Sequence, residues 1–172
     1  MALPGEARVL ASDGAHLAAT YRNVFITAWW GDTTVARLKR VGELQEDVAR
    51  RLSKGFVALA LIRSSNTNLP ADVRSEAERL SKTPAANMRA IAQVISGSGF
   101  AASMIRSVAT GMQIVSRMPK PTKIFDTLDT AATWLVLHMN EIPEPKTKTT
   151  PEAFARAVRE IVAHAAPNGA PW

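Results

Sequence analysis

Residues 93–102, QVISGSGFAA, match the pattern G-x-G-x-x-A through Gly97, Gly99 and Ala102. Placed after a strand and ahead of a helix, such glycines let backbone approach a pyrophosphate that faces the helix N-terminus. A second chemistry is offered at Arg63-Ser64-Ser65-Asn66, where a phosphate on Ser64 or Ser65 adds about −1.5 to −2 of charge beside an arginine. Metal and hydrolytic chemistry are poorly provided for. His16, His138 and His164 never share the i, i+4 spacing of a helical metal site. Ser96, Ser98 and Ser103 stand in no G-x-S-x-G phrase, and Glu43, Glu46 and Asp47 crowd along one helix instead of facing each other across a cleft. The chain has no cysteine, which removes disulfides, thiolate catalysis and zinc–thiolate sites and fits a reducing compartment. No catalytic residue, cofactor or metal is therefore expected.

The remaining residues of note are apolar. Trp29 and Trp30 are adjacent in a strand pattern, so one indole enters the core while the other lies at an edge or interface. With Phe154, in a helix near the end of the chain, they are the candidate interface residues. Phe100, Met104, Met112 and Met118 suit a soft pocket for an acyl chain or ordinary core packing, and packing is the simpler use.

The elements that would position these residues alternate clearly. Glu6 to Leu10 and Ala15 to Tyr21 read as strands around the turn Ser12-Asp13-Gly14, and Asn23 to Trp29 as a third. Asp32 or Thr33 is placed to cap a helix whose inward positions Val35, Leu38, Val41, Leu44 (or Gln45), Val48 and Leu52 run up to Gly55. Phe56 to Ile62 is apolar without alternation, the pattern of a strand covered on both faces. A polar loop from Arg63 leads to Pro70 in the first turn of a helix reaching Lys82. Met88 to Ser96 is another apolar strand, followed by a helix from Phe100 that Pro119 stops. Lys123 to Phe125 is a short strand, and Asp126 would cap a helix with Leu128, Ala131, Leu135 and Met139 inward. Residues 1–143 thus form an α/β domain with an N-terminal hairpin and a mostly parallel sheet, 144–150 a Pro/Lys/Thr linker, 151–166 an amphipathic helix and 167–172 a tail. That last helix docks on its own domain or on a partner, and its shortness favours self-docking.

Composition narrows the partners. With 47% hydrophobic residues in 172, the chain can bury a core. The net charge of +6 is dispersed: Arg37, Lys39, Arg40, Arg50, Arg51 and Lys54 share their segment with Glu43, Glu46 and Asp47. No basic cluster is interleaved with aromatics, so no nucleic-acid partner is expected. No apolar run approaches the roughly 18 residues of a membrane span, and the start of the chain lacks a signal-peptide pattern, so a cytoplasmic protein without stable membrane anchoring is expected.

Several phrases resemble the STAS-like superfamily, the fold of the sporulation anti-anti-sigma factor and of sulfate-transporter cytoplasmic domains. They are YRNVFITAWWG (21–31), GFVALALI (55–62), ISGSGF (95–100) leading into IRSVATG (105–111), KIFD (123–126) and ATWL (132–135). They are most similar to a bacterial branch likened to both STAS and CRAL-TRIO lipid-transfer domains. The resemblance implies a STAS-like α/β sandwich and a non-catalytic regulatory or scaffolding domain in a bacterial signalling or sigma-factor pathway. Its partner would be a regulatory protein or a second copy of the chain. In phospho-regulated members a serine or threonine stands in a D-S-S-G-like phrase; here Ser64 and Ser65 occupy that place without its aspartate and glycine. The competing expectation is a binding module for a small hydrophobic or anionic nucleotide ligand. Gly97, Ser98 and Gly99 are then the anion turn, although the match lies late in the domain, whereas the dinucleotide fingerprint belongs in a first βα turn.

Overall fold

Between Gly55 and Arg63 every residue is apolar, and a strand made of them needs cover on both faces. The computed structural model places this strand inside a six-stranded sheet and describes residues 3–63, 69–97, 120–143 and 148–166. The strands are β1 (Ala7–Ser12), β2 (His16–Tyr21), β3 (Val24–Trp29), β4 (Phe56–Arg63), β5 (Met88–Ser96) and β6 (Thr122–Phe125). Their spatial order is their chain order. β1, β2 and β3 pair antiparallel, whereas β3 to β6 run parallel. The helices are α1 (Val35–Arg51), α2 (Ala71–Lys82), α3 (Leu128–Glu141) and α4 (Pro151–Ala165). The α/β class with a hairpin entering a mostly parallel sheet is as the sequence led us to expect.

Register sorts the side chains into two faces, because neighbours across a ladder point the same way. On one face the rows are Leu17, Ala28, Leu61, Val94 and Ala19, Ile26, Leu59, Ala92. α3 and α4 cover this face with Leu128, Ala131, Leu135, Phe154, Val158 and Ile161, each at most 2% exposed. Residues 151–166 therefore belong to the same core as the sheet. On the other face the rows are His16, Trp29, Ile62, Ile95 and Ala18, Thr27, Ala60, Gln93. α1 and α2 pack there through Leu38, Val41, Leu44, Val48 and Val73. Gly42 lets the two helices close up, since a Cβ there would stand 2.8 Å from Leu80 Cδ2.

Helix starts differ from expectation by one or two residues. α1 is capped by Thr34, whose Oγ1 accepts from the Arg37 amide at 3.3 Å, not by Asp32 or Thr33. α3 is capped by Thr127, whose Oγ1 accepts from the Thr130 amide, not by Asp126. The cap must stand directly before the first helical residue for its oxygen to reach the third amide, and a preceding acid is one step too early. Pro70 stands as the cap residue of α2 and supplies no side-chain bond. α1 ends at Arg51 ahead of Gly55; the last carbonyls of that helix are met by Asn87, whose Nδ2 donates to Ala49 O and Leu52 O at 2.9 Å each. The helix expected from Phe100 lies outside the described residues.

Candidate functional site

Parallel strands deliver their loops to one end, and in α/β sheets ligands bind at that carboxyl end. Here the end gathers Trp29, Trp30 and Gly31 after β3, Arg63 beside Ser96 after β4 and β5, and Asp126 after β6. The β1–β2 turn joins them, because His16 starts β2 directly opposite Trp29. Asp13 organises this turn. Its Oδ1 accepts from the amides of Ala15 at 2.7 Å and His16 at 3.0 Å, and its Oδ2 accepts from Arg37 Nε at 2.9 Å. Arg37 Nη1 also donates to Asp32 O at 2.7 Å, so the first turn of α1 is tied to both loops. Burial pushes the Asp13 carboxyl up, but the Arg37 guanidinium, the Ala15 amide and His16 outweigh it and hold the carboxyl well below the usual range.

His16 is 4% exposed and stacks on Trp29, ring centroids 5.0 Å apart. Its Nδ1 lies 3.1 Å from Asp13 Oδ1, within electrostatic reach, yet neither ring nitrogen makes a directed hydrogen bond among the described residues. Both Asp13 oxygens are engaged, by the Ala15 and His16 amides and by Arg37, so the carboxylate works as a latch between the hairpin turn and α1. Trp29 is 8% exposed on the α1 side, while Trp30 is half-buried, touches the opposite cluster and donates from Nε1 to Gly14 O at 3.0 Å. Adjacent tryptophans thus take opposite faces. Gly31 has no room for a side chain: a Cβ would meet Ala15 Cβ at 2.8 Å and Ala15 Cα at 3.0 Å.

Of the candidate interface residues, Phe154 is fully buried and packs near the Tyr21 ring, centroids 6.3 Å apart, so Trp30 alone retains appreciable surface. Gly97 follows β5 with φ +137°, a conformation that favours glycine. Ser98 and Gly99, the rest of the anion turn, lie outside the described residues, as do Ser64 and Ser65. The three histidines stay apart in the fold's elements, and among the described residues no three His, Asp or Glu side chains are grouped to hold a metal ion. No helix among them is long and apolar enough to cross a membrane.

Two surfaces at opposite edges of the sheet escaped the sequence reading. Beside β6, Trp134, Leu137, His138 and Glu141 stand at i, i+3, i+4 and i+7 along one stripe of α3. Leu137 is 64% exposed. Trp134 packs on Phe125 at 5.7 Å and edge-on to His138 at 4.6 Å, and Lys123 Nζ lies 5.4 Å from the Phe125 ring centre. Beside β1, a groove of about 410 Å³ runs between the strand and the last turns of α1, with Arg8, Arg50 and Arg51 on its walls. The spacing on α3 was the available signal for the first; the second depends on a strand and a helix far apart in the chain. In comparisons with protein-family models, with curated proteins and with solved structures, no match to this chain was found.

Proposed function

We propose that the chain is a non-catalytic, STAS-like regulatory or scaffolding domain that acts through protein–protein contacts, in keeping with a bacterial signalling or sigma-factor role. The observation that carries this reading is the aromatic patch at the β6 edge. Leu137 is the exposed large hydrophobic residue of the described surface, and it follows Trp134, whose half-buried ring packs on Phe125, by three positions on the same helix. Aromatic and apolar groups in contact on a surface, ringed by polar ones, are what protein interfaces are built from. A second copy of the chain is the partner the patch suits. Lys123 lies by the Phe125 ring and His138, with Glu141, by the Trp134 ring, so a two-fold arrangement that sets Lys123 of one copy against Glu141 of the other brings opposite charges together. The patch borders β6, which pairs on one side only among the described residues. Light scattering coupled to size-exclusion chromatography tests the proposal: wild type is expected to dimerise with rising concentration and Leu137→Glu to remain monomeric with an unchanged melting temperature. A wild type that stays monomeric throughout, or a dimer indifferent to Leu137→Glu, overturns it.

A further inference from the structure

We infer that the groove between β1 and the C-terminal half of α1 is a docking site for an acidic segment of a partner protein, one that sets an apolar side chain between carboxylates. The inference rests on the protein-contact reading above but uses the opposite edge of the sheet. Its starting point is a β-bulge. The β1–β2 register shifts between Val9 and Ala11, leaving Leu10 as the extra residue. A bulge on an edge strand bends the strand and re-aims side chains. Here Val9 packs toward the α3/α4 cluster, whereas Leu10 packs with the α1 side. At this bend lies a groove of about 410 Å³ whose apolar lining on the α1 side is Leu10 and Leu44.

The walls are cationic. Arg8 sits opposite Thr20 in the ladder and so stands on the α1 side of the sheet. Arg51 follows Leu44 and Asp47 by seven and four positions, which places all three on one stripe of α1. Three guanidiniums therefore surround the groove against one carboxylate, Asp47, which Arg50 already engages. Among the described residues the Arg51 side chain makes only a long bond, 3.4 Å, from Nε to Asp47 O, and the Arg8 guanidinium has no hydrogen bond or ion pair. Charge complementarity selects an anionic occupant, and guanidinium forks favour carboxylates held in pairs. The aliphatic lining then selects among anions. It offers no aromatic face on which a base could stack, so a peptide with a leucine-type anchor fits better than a nucleic acid strand. The bulge also spoils the regular edge, which directs binding to the side-chain groove and away from simple strand addition.

The test uses the full chain and two fluorescein-labelled peptides, acetyl-EELEELEE-amide and its counterpart with every Glu replaced by Gln. Fluorescence anisotropy is expected to show saturable binding of the acidic peptide that weakens with added salt, and at least tenfold weaker binding of the Gln peptide. The double variant Arg8→Glu/Arg51→Glu should lose at least tenfold in affinity, while Arg156→Glu, exposed on α4, should stay within twofold. Replacing the peptide leucines by serine should cost severalfold more. Equal binding by the Gln peptide, equal loss in Arg156→Glu, no saturable binding, or tighter binding of a single-stranded 12-mer DNA or of anionic vesicles overturns the inference. Because Leu137→Glu leaves this groove intact, a chain that binds the acidic peptide but never dimerises overturns the self-association proposal alone. A chain that dimerises through the patch but ignores the peptide overturns this one alone.

Discussion

The two faces of the sheet are covered in different ways. Under α3 and α4 the rows Leu17, Ala28, Leu61, Val94 and Ala19, Ile26, Leu59, Ala92 contain no polar side chain, and the helices that seal them come from the end of the chain. Under α1 and α2 the corresponding rows admit His16, Thr27 and Gln93, and the helices are the crossovers between consecutive parallel strands. An aliphatic face contributes stability and little else, since burial is non-directional and roughly proportional to area. Buried polar groups need specific partners and specify how neighbouring loops sit. The latch of Asp13, His16, Trp29 and Arg37 is on the second face, where it orders the carboxyl end of the sheet.

The largest effect that would break this contrast is expected at Phe154. Phe154→Ala empties a fully buried site between α4 and the sheet and should lower unfolding free energy by about 3–5 kcal/mol, read by urea denaturation. A loss below about 1 kcal/mol would mean that α4 is not part of the cooperative core. His16→Leu is expected to do much less. It removes a ring whose nitrogens are buried without directed hydrogen bonds and fills the site with a side chain of similar volume, so stability should change by about 1 kcal/mol or less. A loss near that of Phe154→Ala would show that both faces are equally demanding.

The smallest effect is the pH dependence of Asp13. Its folded carboxyl is held below its unfolded range, so the unfolded chain takes up the proton more readily. The stability it adds is complete above about pH 5 and falls away as pH drops further. Asp13→Asn should flatten the acid limb of a denaturation series between about pH 4 and 2. An unchanged limb would detach the latch from folding.

Much of the architecture was legible because it depends on period and composition. The unbroken apolar run of β4 marked a doubly covered strand, and the 3.6-residue spacing of α1 and α3 marked their inner faces. Helix caps were misplaced because Asp and Thr have similar capping preferences, so a string such as Asp32-Thr33-Thr34 leaves the first helical residue open. The tryptophan pair was legible as a pair on opposite faces, but the hydrogen bond from Trp30 to Gly14 was not, since the two are brought together only by the hairpin. Asn23 is similar. The sequence puts it at the start of the third strand, whereas the strand begins at Val24 and the buried Asn23 side chain donates to Met139 O at 3.0 Å, tying the β2–β3 turn to the end of α3.

By itself the sequence determined the order of the described elements, the inward stripes of α1 and α3 and the two-sided burial of β4. These follow from local periodicity and from the fact that an apolar stripe must be covered. The tertiary structure alone decided which face each helix covers and that Phe154 closes the core. It also created the two edge surfaces. The aromatic patch requires β6 to lie beside α3, and the arginine groove requires a bulge in β1 to meet the end of α1. Such contacts depend on register and on packing between residues distant in the chain, and no local pattern carries that information.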